Sequence, residues 1–519
     1  LLVTWLIAPG GAFAQEQLRT PARLQAAPPP VAYAAPAATS YDRPMPINLP
    51  TALRLAGVRP FDISVASQRI EQALAQLERA NVLWLPTLYV GVDYYRHDGP
   101  IQETAGNILH TSRSSFLAGA GPSAVFAVTD AIFEPLAARQ VLRAREATLQ
   151  TARNDTMLAV AEAYFQVQQA IGELAGAGEA TRRAAALLGQ VEKLAPGLVP
   201  AVEVNRARAE LARRRQAFYS ARERWRSASA ELTRLLRLDP GVLVQPLEPP
   251  HLRLTLLSGD QKVDDLIAVA LGNRPELAAQ QALVQATLQR LRQERIRPLV
   301  PSVLLRGASS GIFGTLAGGE FIGGKNDSLG NGGVRGDFDV QLLWELQNLG
   351  FGNRARVKER RADNQLAILE LFRIQDRVAA DVVQAVAQVR SAAARLLEAE
   401  TGLKEAAESV KRNFEGLSQT KRAGNLNILV IRPQEVVAAV QALAQAYNDY
   451  YGVVADYNRA QLRLYWALGR PAQMLAGAHA ECPSPVAPCP VQSCPASVPQ
   501  KPVLTKTKEP DVLILTPGD

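Results

Sequence analysis

Apolar residues recur along this chain in two rhythms. Val378, Val382, Ala385, Val389, Ala392, Leu396, Ala399, Leu403, Ala406 and Val410 follow spacings of four and three, the 3.5-residue period of a left-handed coiled-coil seam. The surrounding stretch, from about Gly352 to Ser418, holds no proline and predicts one helix roughly 100 Å long at about 1.5 Å per residue. Its alanine positions bury little area each, so such a rod needs helical partners. The same alternation runs through Val160, Tyr164, Val167, Ile171 and Leu174, and again through Val436, Val440, Leu443, Tyr447, Tyr450, Val454, Tyr457, Gln461, Leu464 and Leu468. A third stripe joins Leu211, Arg214, Phe218, Ala221, Trp225, Ala228, Leu232 and Leu235, and helical patterning over 51–84 and 263–297 predicts two shorter helices.

The second rhythm has period two, the signature of strands with two unlike faces. Leu88, Val90, Val92 and Tyr94 alternate with Tyr89, Gly91, Asp93 and Tyr95. After a polar loop over 97–114, a strand over 116–128 completes a hairpin. A strand over 302–309, a glycine-rich loop over 310–333 and a strand over 334–344 predict a second hairpin. In that last strand Val334, Phe338, Val340 and Leu342 alternate with Arg335, Asp337, Asp339 and Gln341. Pro86 and Pro301 stand where helix gives way to strand, which suits a residue that cannot continue the helical ladder.

Both rhythms occur twice in the same order. Gly57-x-Arg59-Pro60 and Gly272-x-Arg274-Pro275 lie 215 residues apart, as do Leu85-Pro86-Thr87 and Val300-Pro301-Ser302. The helix-to-helix turns at Gly197 and at Arg422-Ala423-Gly424-Asn425 place Gly197 and Gly424 227 residues apart, so about twelve residues entered between. The expected organisation is a signal segment over 1–14, an Ala/Pro-rich linker over 15–47, a first copy with its connector over 48–259, a second copy over 260–469, and a Pro-rich tail without fixed structure over 470–519.

Composition narrows the chemistry. The 519 residues carry a formal net charge of +8. Leu1 to Ala8 followed by Ala12-Phe13-Ala14 fits the apolar core and small-residue cleavage site of a secretory signal, although the basic segment that usually precedes the core is missing. No run of eighteen apolar residues predicts a membrane-crossing helix. The three cysteines, Cys482, Cys489 and Cys494, all fall in the tail, and an odd number in an exported chain leaves at least one unpaired or bonded between molecules. The four histidines have no metal-ligand spacing, and no phosphate loop or nucleophile elbow appears. No catalytic, cofactor or metal site is expected, and the chain reads as no enzyme. The arginines from Arg206 to Arg237 interleave with Glu203, Glu210, Glu223 and Glu231, which describes a solvated helix face and no nucleic-acid partner.

Strands of about 9–11 residues with one apolar face match those of membrane barrels. Four strands cannot enclose a lumen, and an open edge in lipid leaves each unpaired backbone group costing several kcal/mol. Copies from other chains must complete the sheet, and three chains supply twelve strands. Val334, Phe338, Val340 and Leu342 would then face lipid while Arg335, Asp337, Asp339 and Gln341 line the lumen. The alternatives are a periplasmic coiled-coil adaptor or scaffold without a barrel, and an envelope enzyme on a helical scaffold.

Three motifs carry a resemblance to a known family. Ala270-Leu271-x-Asn273-x-Pro275-Glu276-Leu277, the helix-to-strand prolines, and Asp456-Tyr457-Asn458-Arg459-Ala460-Gln461-Leu462-x-Leu464 ending in Ala467-Leu468-Gly469 resemble the outer-membrane efflux proteins of the TolC type over roughly 48–470. The resemblance implies a mainly α fold with β-hairpins: long antiparallel coiled-coil helices in two repeats, and a homotrimer forming a twelve-stranded barrel on a twelve-helix periplasmic tunnel. It also implies outer-membrane lipid around the barrel, a periplasmic adaptor, an inner-membrane pump, and passive export. Gly197, Pro200, Glu203, Lys421, Arg422, Gly424, Asn427 and Arg432 fall at the implied tip, where adaptor contact and gating are expected. One departure stands out. The family's second turn carries acids six and nine residues past its glycine, and here those positions are Val430 and Pro433. The tip reads as basic instead, with Glu203 pairing across to Lys421, Arg422 or Arg432.

Overall fold

The computed structural model describes residues 23–26, 43–85, 87–195, 197–306, 318–325, 329–336, 339–423 and 426–470. The expected signal cleavage site, Pro86, Asp337, Phe338, Gly424 and the cysteine-bearing tail lie outside the described residues.

Two short strands, β1 (Arg23–Ala26) and β2 (Arg43–Ile47), precede helices α1 (Leu49–Ala56) and α2 (Phe61–Asn81). Strands β3 (Thr87–Gln102) and β4 (Ile108–Ala127) form a hairpin that leads into α3 (Val128–Leu194), and α4 (Ala201–Leu236) returns beside it. Strands β5 (Val242–Pro246) and β6 (Leu252–Thr255) make the connector. The order then recurs: α5 (Val263–Asn273), α6 (Pro275–Ile296), strands β7 (Ser302–Arg306), β8 (Gly318–Lys325), β9 (Asn331–Gly336) and β10 (Asp339–Leu343), and helix α7 (Phe351–Leu417). A tip hairpin of β11 (Thr420–Ala423) and β12 (Leu426–Leu429) precedes α8 (Pro433–Ala467).

Helices α3 and α7 are both 67 residues long, close to 100 Å each at about 1.5 Å per residue. The seams face inward. On α7, Val378, Val382, Ala385, Val389, Ala392, Leu396, Leu403 and Val410 are buried, and Ala399 and Ala406 pack at the margin. On α8 the stripe from Val436 to Leu468 is buried except for half-buried Tyr457. Helix α3 packs against both α4 and α8, and α8 also packs against α7. The α3–α8 approach is unusually close. A Cβ added at Gly172 would lie 2.5 Å from the Tyr451 ring, and one at Gly176 would lie 2.6 Å from the Tyr447 Cβ.

Several elements depart from the sequence expectation, each for an identifiable reason. The helices expected over 51–84 and 263–297 are each two helices, broken where Gly57-x-Arg59-Pro60 and Gly272-x-Arg274-Pro275 stand. The residue before proline is driven from helical to extended backbone, and Arg274 sits at φ −71, ψ 121. The 97–114 loop is mostly strand: β3 runs to Gln102 and β4 begins at Ile108, so the strands are 16 and 20 residues long rather than 9–11. The glycine-rich 310–333 segment contains β8 and the start of β9, because glycine carries no side-chain rhythm to betray a strand. The linker, too bare of apolar residues to fold alone, contributes β1 and β2 by pairing them with β6 and β5 of the connector.

Six strands occupy four positions across one sheet. Strand β3 pairs with β4 over its whole length. On the other side of β4, β7 pairs with Ser123–Ala127 and β8 with Arg113–Ala120, so the two act as one interrupted strand. Strands β10 and β9 pair with β7 and β8 in turn. Among the described residues β3 and the β9–β10 line each keep one unpaired edge.

Candidate functional site

The register fixes which residues share a face, because directly opposed residues of antiparallel strands point the same way. Leu88, Val90, Val92 and Tyr94 oppose Pro122, Ala120, Ala118 and Phe116. Val340 opposes Leu305, which opposes Ala124; Leu342 opposes Val303, which opposes Phe126; Val334 opposes Glu320, which opposes Ala118. Even-numbered positions of β3, β4, β8, β9 and β10, with the odd-numbered positions of β7, therefore form one face, interrupted by Glu320 in the row of Val92. On this face Leu88, Val90, Val92 and Tyr94 are exposed, Val334 is 93% exposed, and Val340 and Leu342 are more than half exposed. Along β4 the apolar band from Phe116 to Phe126 covers roughly 34 Å of strand at about 3.4 Å per residue. Where the sheet meets the helices, Trp84, Leu85, Trp344, Leu346 and Phe351 are also exposed.

The odd-numbered face collects Asp93, Tyr95 and His97 of β3, Leu117 and Arg113 of β4, Phe321 of β8, and the register positions of Arg335, Asp339 and Gln341. Beyond Asp93 the odd residues of β3 are half-buried while the even ones stay exposed, and Leu117 is covered by Phe321. Gln341 donates to Asp339 at 2.7 Å. Pro301 lies in the bend between α6 and β7.

At the far end of the helices the two repeats close differently. The first tip spans residues 195–200. Gly197 takes φ +113, a backbone that glycine adopts freely, and Pro200 caps α4. Glu203, 13% exposed at its side chain, accepts from Arg206 one turn on at 2.5 Å, so its partner within the chain is Arg206 and not Lys421, Arg422 or Arg432. The second tip spans 418–432 and is built on the β11–β12 hairpin, where a simple turn at 422–425 was expected. Ala423 opposes Leu426, and Arg422 opposes Asn427. Lys421, Arg422 and Arg432 are exposed. Leu429 and Ile431 tie this tip to Leu187, Val191, Val199 and Leu417.

Each copy also places an acid at the same point of its tip helix. Glu203 is the third residue of α4, and Glu435 is the third residue of α8. Counting from Gly424 reaches Val430 and Pro433, because the longer tip shifts the spacing. Counting from the helix start would have found Glu435. Acids in a first helical turn sit favourably in the dipole field.

The residues that carry the family resemblance have structural roles. The Asn458 side chain donates to Leu252 O and accepts from Leu254 N, each at 2.8 Å, and Gln461 accepts from Leu256 N and Leu257 N at 3.1 Å. Both amides fasten the connector to α8. The buried Arg274 guanidinium stacks 4.0 Å from the Trp466 ring and pairs with Glu276 and Asp381 at 3.1 Å. Gly469, at φ +71, lies against the Asn273–Arg274 backbone, so the two motifs meet. Trp466 donates to Asp155 at 2.9 Å, and burial raises that carboxyl above its ordinary range despite the bond. Several arginines of α4 are paired: Arg213 and Arg214 with Glu210, Arg224 with Glu173, Arg208 with Glu192, and Arg234 with Glu231. Among the described residues no cluster of His, Cys, Asp and Glu could hold a metal ion, and no helix is long and apolar enough to cross a membrane.

The architecture is one of long paired helices carrying a sheet that, among the described residues, is open at both edges and apolar on one face. Residues 52–236 match the family described as outer membrane efflux protein. The fold resembles the outer membrane protein VceC of Vibrio cholerae (17% identity, TM-score 0.63, 81% of this chain and 96% of that one). It likewise resembles the CmeC outer membrane channel of Campylobacter jejuni (15%, 0.65, 81% and 85%) and the MtrE outer membrane channel of Neisseria gonorrhoeae in its open state (15%, 0.62, 88% and 96%). At these identities the likeness is one of fold. No curated protein matches the sequence. The resemblance to the outer membrane efflux proteins is thus carried by sequence in the first copy and by fold across most of the chain.

Proposed function

We propose that this chain is one subunit of a trimeric outer-membrane duct, a passive conduit for export from a periplasmic adaptor and an inner-membrane pump to the exterior. The observation that carries the reading is the sheet: four strand positions, two unpaired edges and an apolar face left bare. Unpaired strand edges cost several kcal/mol per group in lipid, and a 16-residue bare edge in water invites aggregation. Three copies joined edge to edge supply twelve strand positions and abolish both edges. A strand tilt of about 40° brings the apolar band near the ~25 Å height of a barrel's lipid-facing zone. The exposed tryptophans at the helix end suit the interfacial girdle.

In this arrangement the odd face, with Arg335, Asp337, Asp339 and Gln341, lines the lumen, and Val334, Phe338, Val340 and Leu342 meet lipid. The helices form the tunnel below, and the tips with Gly197, Glu203, Lys421, Arg422, Arg432 and Glu435 face the adaptor. Transport needs no catalysis or cofactor by this chain: a water-filled duct selects by bore, charge and gating. Planar bilayers test the reading. Purified protein should insert as discrete conducting steps, whereas a protein that partitions to the soluble fraction and never conducts would sustain the scaffold alternative.

A further inference from the structure

The connector holds helix α8 along one side. Asn458 and Gln461 bond to β6 and the residues after it, and the Tyr457 hydroxyl meets Thr255 at 3.0 Å. At about 100° per residue, Asp456, Arg459 and Arg463 lie on the opposite side, roughly 180° round. Helix α7 repeats the division. Arg390 donates to Gly259 O and Gln261 O of the connector, and Arg395 lies about 140° round the helix from it. The wall of α3, α8 and α7 thus has one face under the connector and one turned away from it. In a closed ring the connector, with β1 and β2 attached, must sit outside, because inside it would fill the bore. The second face is then the wall of the duct. There α7 and α8 part over a pocket of roughly 450 Å³, lined by Arg395, Asp456, Arg459, Arg463, Gln388 and Ser391 and otherwise by alanines.

We propose that this pocket binds the anionic group, carboxylate or phosphate, of solutes passing along the duct. The proposal rests on the duct reading above and names its substrate class. Three guanidiniums gather here around two carboxylates. Arg395 and Arg459 share Asp456, at 3.4 and 3.1 Å, while Arg463 pairs with Glu162 of α3. Arg459 also donates to Gln166 and Gln169, each at 2.7 Å, which ties its fork between α3 and α8. Burial holds the Arg459 guanidinium below its usual range, and neighbouring Arg463 adds to that, while Asp456, Glu162 and Glu173 act the other way. A surplus cation in such a cluster is repelled by its neighbours, and an anion in the pocket relieves the repulsion. Arg395 and Arg463 are 52% and 45% exposed at the side chain, so both forks reach the pocket's opening while the more buried Arg459 stays tied. Each guanidinium carries five N–H donors in a plane that matches a carboxylate or a phosphate. Threefold symmetry repeats the pocket around the bore, where low-dielectric walls strengthen its field.

Calorimetric titration of inorganic phosphate into the whole protein in detergent, at constant ionic strength, tests the pocket. The unmutated protein should bind phosphate saturably, and the Arg395→Gln/Arg463→Gln double variant should bind it about tenfold more weakly or worse. Arg182→Gln, which removes an exposed arginine paired with Glu179 away from the pocket, should leave the affinity unchanged. No saturable binding, equal affinity in the double variant, or an equal loss in Arg182→Gln would overturn the proposal. If the double variant fails to assemble, Arg395→Gln alone must still weaken binding. In planar bilayers, phosphate should lower the single-channel current of the unmutated protein and spare that of the double variant. Binding that leaves the current untouched puts the pocket off the duct and overturns the proposal as well. A protein that binds phosphate but never conducts defeats the duct reading itself, an outcome distinct from a conducting channel indifferent to these arginines.

Discussion

The rod and the sheet treat the same kind of residue in opposite ways. In the rod, valines and leucines spaced by four and three are buried within a single chain: Val382 and Val440 are fully inaccessible. In the sheet, valines spaced by two are left bare, Val90 at 76% and Val334 at 93% exposure. A rod that hides its apolar seam is built for water. A sheet that displays an apolar face and, among the described residues, two unpaired edges suits the proposed barrel of several copies in lipid. The difference also separates what each region needs. The rod's seams find their partners within one chain, whereas the sheet's apolar face does not.

The largest expected effect breaks this contrast on its exposed side. Val340→Arg changes a surface residue of the isolated chain and should be harmless to a soluble protein. In a lipid-facing position it costs about 2–4 kcal/mol in each copy near mid-bilayer, so the yield of detergent-extracted oligomer should collapse, while Gln341→Arg on the opposite face leaves it intact. Equal yields would erase the assignment of faces.

Within the rod, Arg274→Ala comes next. It removes a buried guanidinium and leaves Asp381 and Glu276 without their partner, a loss of about 2–4 kcal/mol after allowing for the partial exposure of both acids. Thermal unfolding followed by circular dichroism should show it. In the first repeat Arg237 is stacked 3.7 Å over Phe61 and is exposed, and Arg237→Ala should cost only about 0.5–1 kcal/mol. Gly176→Ala lies between them: its methyl would press into Tyr447, an overpacking cost of about 1–3 kcal/mol, read from the same melts.

The smallest effect is one of pH. Burial alone would raise the Glu179 carboxyl, but hydrogen bonds from Arg182 and Arg183 outweigh it and hold the group below its ordinary 4.5. A depressed carboxylate contributes stability above its unfolded value and loses it as pH falls through the folded one. The melting temperature should therefore decline below about pH 4.5, and Glu179→Gln should flatten that decline. An identical acid profile in both proteins would remove Glu179 from the account.

The seams were legible because each buried position reports the period of its element: Val160, Tyr164, Val167, Ile171 and Leu174 are all buried as the spacing requires. The helix breaks at Gly57–Pro60 and Gly272–Pro275 were visible as a repeated motif but read only as evidence of duplication, since the apolar period continues through them. Residues 97–114 looked like loop because a strand that leaves the apolar zone turns polar on both faces, as Arg96, Asp98 and Ser112 show. The tip hairpin had a signal, Gly-Asn between two short alternating runs, which suits a two-residue turn. A count taken from Gly424 passes over Glu435, the acid in the first turn of α8. The pocket of Arg395, Arg459 and Arg463 was not legible at all, because residues on two helices become neighbours only through their packing.

In the proposed duct this sheet is one part of a closed barrel completed by copies of the chain in a membrane. Native mass spectrometry of the protein extracted from outer membranes in detergent tests it most directly. The account predicts a particle of about three times the 56.0 kDa chain mass, released only by detergent. A monomer recovered from the soluble fraction without detergent would contradict it.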